Sequence, residues 1–280
     1  MNNSIYPCLT IRNRMQEAAD FYLSTFGEGA IAQTSPWAVQ LELSGQKFLI
    51  LNDGPTSLPN PSVSFMVILE NQEETERCWH KLIEGGSSLM PLGSYDWSEK
   101  YGWLQDKYGV SWQLYTGSSS DAVQKFSPTF MFSGDVAGKA AEAVDFYTGL
   151  FPNSKVVGLL NYTKADGENP AFVKHGQFEL NGYTMMAMDS SMSHGFSFND
   201  AVSMVIECAS QSEIDQYWES LSANGGKEVA CGWLTDKYGI SWQVVPKVLG
   251  KLLSDPQRAQ RIMEPLLKMK KLVIADLENA

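Results

Sequence analysis

Apolar and polar positions along the chain switch between a strand period and a helix period, in an order that recurs four times. Residues 4–12 read as a strand, with Asn13 placed as a helix cap. Met15, Ala18, Ala19, Tyr22 and Phe26 then follow helical spacing up to Gly27. Short strands are predicted at 30–34, 38–43 and 47–52, with Ser44-Gly45 as a turn, before a Pro/Gly/Ser-rich loop over 53–61. This is one βαβββ unit. A second begins with a strand at 63–70 and a helix opened by Asn71 and Glu74 in a capping-box arrangement, with Thr75, Cys78, Trp79, Leu82 and Ile83 as its buried stripe. Gly85-Gly86 ends that helix, and strands near 87–90, 101–105 and 110–115 complete the unit.

Both units then return. Residues 129–133 read as a strand, and Ala140, Val144, Tyr147 and Phe151 line a helix that stops at Pro152. Residues 172–180 and 183–189 form a hairpin across Asn181-Gly182, a dipeptide suited to a type I′ turn. Residues 201–207 repeat 62–68, and Ser210 with Glu213 opens the matching helix, lined by Ile214, Trp218 and Leu221. The clearest echo joins 101–115 to 231–246: from Gly102 to Gln113 and from Gly232 to Gln243 only two positions differ, at an offset of 130. Each copy predicts a hairpin whose Asp-Lys-Tyr-Gly turn uses Asp to bond nearby backbone and Gly to supply positive φ. The expected organisation is a first domain over 1–117, a linker over 118–127, a second domain over 128–246 and a helical tail over 247–280. In the tail Asp255-Pro256 reads as a cap with a first-turn proline, Pro265 is expected to break or kink the helix, and the segment is expected to pack across the domains.

Composition narrows the function classes. Hydrophobic residues make up 44% and charged residues 19%, enough for a real core in each half. A net charge of −11 argues against nucleic acid and anionic membrane as partners. Lys268, Lys270 and Lys271 read as the solvated face of the tail. No apolar run approaches a membrane span, and the N-terminus lacks a basic-then-apolar signal pattern. Cys8, Cys78, Cys208 and Cys231 show neither metal-type nor disulfide-type spacing and read as reduced thiols of a cytoplasmic protein. A homodimer is left open.

Four tandem βαβββ units resemble the vicinal oxygen chelate superfamily, which includes glyoxalase I and bleomycin-binding proteins. The PhnB-like branch is the closer resemblance, carried by Asp145-Phe-Tyr, Leu150-Phe-Pro-Asn-Ser-Lys155, Gln177-Phe-Glu-Leu-Asn-Gly182, Cys231-Gly-Trp, Ser241-Trp-Gln-Val-Val-Pro246 and Met263-Glu-Pro in the tail. The resemblance implies an α+β fold in which paired βαβββ units form cupped mixed sheets with helices outside, repeated twice. Members of that branch often bear a demethylubiquinone methyltransferase label. No Gly-rich strand-to-helix turn of the S-adenosylmethionine type supports that chemistry in this sequence.

The resemblance also implies four inward strand positions per half that would hold a divalent cation. They fall on Pro7, Ile50, Ser64 and Gln113, and on Pro128, Ala187, Ser203 and Gln243. Proline and aliphatic side chains cannot ligate, and serine with one amide cannot hold such an ion alone, so no metal and no other cofactor is expected. His80, His175 and His194 read as surface residues. Strand alternation, with the superfamily's ligand position, turns Gln113 and Gln243 inward and sends Trp112 and Trp242 toward the helices. A buried amide needs partners, either backbone or ligand. The candidate ligand-binding set is Gln113, Gln243, Trp103, Trp233, Ser64 and Ser203. Cys231 as a nucleophile, and Glu42 and Glu179 as bases, are weaker candidates with structural readings. Two classes stay open: a metal-free protein that sequesters or senses a small, partly aromatic molecule, and a metal-independent lyase, isomerase or hydrolase.

Overall fold

The computed structural model describes residues 4–280 except 53, 55 and 118–123, so most of the expected linker lies outside the described residues. The first unit comprises β1 (Ile5–Thr10), α1 (Met15–Phe26), β2 (Gly29–Thr34), β3 (Ala38–Leu43) and β4 (Gln46–Leu51). The second comprises β5 (Val63–Leu69), α2 (Gln72–Ile83), β6 (Ser87–Tyr95), β7 (Ser98–Gln105) and β8 (Ser111–Thr116). The third contains β9 (Phe126–Phe132), α3 (Ala140–Leu150), β10 (Lys155–Asn161), β11 (Val173–Leu180) and β12 (Tyr183–Asp189). The fourth contains β13 (Val202–Cys208), α4 (Gln211–Ser222), β14 (Lys227–Glu228), β15 (Trp233–Thr235) and β16 (Ser241–Pro246). The tail forms α5 (Leu249–Ser254), α6 (Pro256–Lys268) and α7 (Ile274–Glu278).

Two eight-stranded mixed sheets result, as the α+β expectation requires, but each draws on both halves. The first sheet runs β14-β15-β16-β13-β1-β4-β3-β2 and the second β10-β11-β12-β9-β5-β8-β7-β6. β1 pairs antiparallel with β13, and β5 with β9. The expectation that 1–117 and 128–246 each build a sheet of their own is thus corrected. Successive units are joined through their helices instead, which leaves their first strands free to pair with the other half.

That joint is the repeated Asp-Lys-Tyr-Gly hairpin. Asp106 Oδ2 accepts from Tyr22 of α1 and from Trp112 Nε1, both at 2.8 Å, while Oδ1 accepts from the amides of Tyr108 and Val110. Asp236 does the same with Tyr147 of α3, Trp242, Tyr238 and Ile240. Each aspartate ties the helix of one unit to the hairpin of the next. Gly109 and Gly239 close the turns at φ 84° and 93°, as the sequence predicts.

One apolar core lies on the helix-bearing faces of both sheets. It includes Ile5, Ile50, Phe65, Trp112, Phe126, Tyr147, Ala187 and Trp242. α1, α2, α3 and α4 pack there, outside the cups, and Asn71 and Ser210 cap α2 and α4 as expected. Asn13 does not cap α1: it adopts φ 59°, and Arg14 precedes the helix without a side-chain cap. Pro265 does not end α6, which runs on to Lys268, although the proline forfeits the helical bond its missing N–H would make to the Arg261 carbonyl. The strand β10, not predicted from the sequence, forms an exposed edge.

Candidate functional site

The face of each sheet opposite the helices is the cup. On the first sheet, Tyr6, Cys8, Val205 and Val245 belong to a cluster separate from the main core, with Ser203 and Gln243 on the same face. On the second, Ser64, Met66, Gln113, Thr129 and Met186 occupy the equivalent rows. Ile50 and Ala187 are instead in the helix-side core. Pro7 alternates with Tyr6 and Cys8, and Pro128 with Ser127 and Thr129, so both also face the helices. These four inward assignments are corrected by one residue, a slip that reverses the face in a strand. The cup neighbours are Cys8 and Leu49 on the first sheet, and Thr129 and Met186 on the second. Ser64, Ser203, Gln113 and Gln243 do lie on cup faces, and Trp112 and Trp242 do face the helices.

The first cup is filled by the chain itself. Leu252, Ile262, Leu266, Leu272 and Leu277 of the tail pack on Tyr6, Cys8, Val205 and Val245. The amides of Cys231 and Gly232 donate to the carbonyls of Met269 and Lys270 at 2.7 and 2.8 Å, and Gln211 exchanges bonds with Leu272 and Ile274. Because this sheet joins the two halves, the tail does span them, by covering one cup. Under it Gln243 donates to Ser203 at 3.0 Å, and Trp233 stands opposite Gln243. Burial pushes the Cys8 thiol up to about 12, against opposing hydrogen bonds from Gln243 and Ser203. Burial also raises Cys231, which sits at φ 61°; neither thiol is activated.

The second cup has the same floor without the tail. Gln113 accepts from Tyr101 at 2.8 Å and donates to Ser64 at 2.8 Å, while Trp103 Nε1 donates to Ser111 at 2.7 Å. One row across the sheet reads Trp103, Gln113, Met66, Ser127, and the next Ser111, Ser64, Thr129, Met186. Gln113 is 5% exposed and Ser64 2%, whereas Trp103, Met66, Tyr115 and Met188 are half-buried. Burial holds the Tyr101 phenol well above its ordinary range, which disqualifies it as a base.

The walls differ because one hairpin differs. β6 and β7 are nine and eight residues long, their counterparts β14 and β15 only two and three. The longer hairpin carries Tyr95 stacked on Trp97 at 4.9 Å, with Tyr101 edge-on to both and Tyr115 Oη donating to the Trp97 carbonyl. Sequence reasoning missed these residues, although spacing held the signal: Leu82 and Gly102 lie 20 positions apart, Leu221 and Gly232 only 11. In the shortened copy the tail runs beside Cys231 and Gly232 instead.

A divalent cation does not fit either cup. Ser64, Gln113, Thr129 and Met186 are neutral donors, and in the first cup the thiol of Cys8 is held protonated beside Ser203 and Gln243. Among the described residues no group of three or more His, Cys, Asp or Glu side chains converges as a metal set. His194 meets Ser190, while Glu179 and Glu42 stand on the cup side of the outer strands β11 and β3, where Glu179 pairs with Lys155 at 3.2 Å and Glu42 stands opposite Lys47.

A family model described as 3-demethylubiquinone-9 3-methyltransferase matches residues 3–115 and 124–245. Among solved structures, a PhnB protein from Bacillus cereus bearing that same description is 35% identical, covering 40% of this chain and 98% of its own, with a TM-score of 0.39. Glyoxalase I from Zea mays is 11% identical at a TM-score of 0.60, covering 94% of this chain and 96% of its own, which is a likeness of fold. No curated protein matches the chain.

Proposed function

The chain belongs to the family described as 3-demethylubiquinone-9 3-methyltransferase, within the glyoxalase-like vicinal oxygen chelate superfamily, and we propose that it is a metal-free member that binds a small organic molecule in the second cup. The observation that carries this reading is the asymmetry of two equivalent floors. The tail seals the one built on Gln243 and Ser203, and the one built on Gln113 and Ser64 has aromatic walls in its place. Apolar and aromatic walls around a few placed polar groups are the usual make-up of a small-molecule site.

Methyl transfer finds no support in the residues. In the strand-to-helix turn that carries Gly134 and Gly138, the amides of Gly138 and Ala140 at the helix start are spent on Asp189 Oδ1. Binding without chemistry is favoured over a metal-independent lyase, isomerase or hydrolase, because strands β7, β8, β5 and β9 bring no carboxylate, imidazole or thiol onto the two central rows and the carboxylate further out, Glu179 on β11, is paired with Lys155. Sequestration or sensing in the cytoplasm is the role in keeping with four free thiols, three of them buried.

Native mass spectrometry of the purified protein should reveal a co-purifying organic molecule and no stoichiometric divalent metal. Replacing Gln113 by Leu should weaken its binding by about 1–3 kcal/mol, and Gln243→Leu should leave affinity unchanged. Loss of affinity through Gln243 alone, or a tightly held transition ion, would overturn the proposal.

A further inference from the structure

Resting on the reading that the second cup binds a small molecule, we infer that its ligand is an uncharged aromatic compound bearing a hydrogen-bond acceptor, and that the extended β6–β7 hairpin selects it. Charge comes first. On the central strands the floor rows Trp103-Gln113-Met66-Ser127 and Ser111-Ser64-Thr129-Met186 contain no ionisable side chain; Glu179 and His175 of this face lie out on β11, with Glu179 paired to Lys155. A carboxylate or ammonium brought onto the central strands would lose its water and meet no counter-charge there, since Glu179 further out is already paired with Lys155. The carboxylates that the fold does bury are held by donors away from the floor: Asp106 and Asp236 on the helix side by four each, and Asp189 by the amides of Gly138, Ala140 and Val173.

Polarity comes next. Gln113 Oε1 accepts from Tyr101 and one amide proton goes to Ser64, which leaves the second amide proton, and among the described residues the Ser64 hydroxyl donates to no protein acceptor. Both groups therefore offer free protons, which favours a ligand with an acceptor such as a carbonyl or ether oxygen.

Shape follows from the hairpin. Trp97 is 53% exposed although its ring stacks on Tyr95 and approaches Tyr101, which is hydrogen-bonded to the floor glutamine. An aromatic path thus runs from the rim to Gln113. Met66 and Met188 are half-buried thioethers that adapt to a flat ring and favour contact with it. The shortened hairpin of the first cup has no counterpart of Trp97, and there the tail supplies aliphatic side chains.

The test uses three probes of one shape on the full chain: 2-acetylnaphthalene, 2-naphthoate and 2-naphthylmethylammonium, titrated by calorimetry and tryptophan quenching. The neutral ketone should bind saturably and at least about tenfold tighter than either ion. Trp97→Ala, at an exposed position, should weaken it about fivefold with an unchanged thermal melt. Met66→Lys should shift the preference to naphthoate. Equal binding of all three probes, abolished by Met66→Lys, would overturn the charge inference while leaving a small-molecule cup in place. Binding that ignores both Trp97→Ala and Met66→Lys, or no binding of any probe, would remove this inference, and with no binding the cup reading falls too.

Discussion

Two buried aspartates carry more of the fold than any apolar side chain of their size. Asp236→Ala would orphan the Tyr147 hydroxyl, the Trp242 indole N–H and two backbone amides at once. Each buried unpaired donor costs about 1–3 kcal/mol, so a loss of about 4 kcal/mol or more is expected in denaturant unfolding, with Asp106→Ala alike. A loss under about 1 kcal/mol would show that the four bonds are made as well by water. A second residue-level effect is set by pH. Glu142 is drawn down from 4.5 to about 2, first by Lys139, then by Lys237 and Tyr238. Because the folded value is depressed, its stabilisation is present above 4.5 and is lost as pH falls toward about 2. Glu142→Gln should therefore lower the melting temperature slightly at neutral pH, and the difference should vanish in strong acid. At this scale much was legible: the paired hairpins, the positive-φ glycines and the inward glutamines follow from alternation and turn chemistry. The partner of each aspartate was not, because Tyr22 and Asp106 lie 84 positions apart and nothing local links them.

Among elements, the tail covers one cup and the β6–β7 hairpin walls the other, and that difference separates the cups. The tail's helical pattern could be read from the sequence, but an amphipathic helix states only that it covers something apolar, not what. Likewise four floor positions misplaced by one residue show how little a strand pattern resists a slip when both faces are buried, as in β1, whose six residues are all buried. Ending the chain after residue 247 should expose Tyr6, Cys8, Val205 and Val245. Five buried Leu and Ile side chains of the tail are each worth about 1.5–3 kcal/mol of burial, so a severe loss of stability with strong binding of a hydrophobic dye is expected. Ile262→Asp, which leaves the backbone intact, should reproduce the effect in part. A shortened chain that melts like the full one would mean that the tail only rests on the cup.

At the scale of the molecule, four similar units could pair in more than one way, and their sequences do not choose. Each unit opens with a strand of similar pattern and closes with a hairpin, so any first strand offers a suitable edge to any other. The choice is made by three-dimensional closure: helices join units one to two and three to four, and strands join one to four and two to three. The halves are therefore interlocked, with β1 on β13 and β5 on β9 as central seams rather than edges. Separated, residues 1–117 would present two bare central strands, each flanked by an apolar helix side, and residues 124–280 would do the same. Unpaired edges of that kind associate. Expressed alone, either fragment should appear in light scattering as a self-associated or aggregated species. Expressed together, the fragments should give a one-to-one complex with the thermal melt of the intact chain. A folded, monomeric first fragment would contradict this, since it could arise only if β1 and β5 paired within the half, the arrangement that the repeat alone suggests.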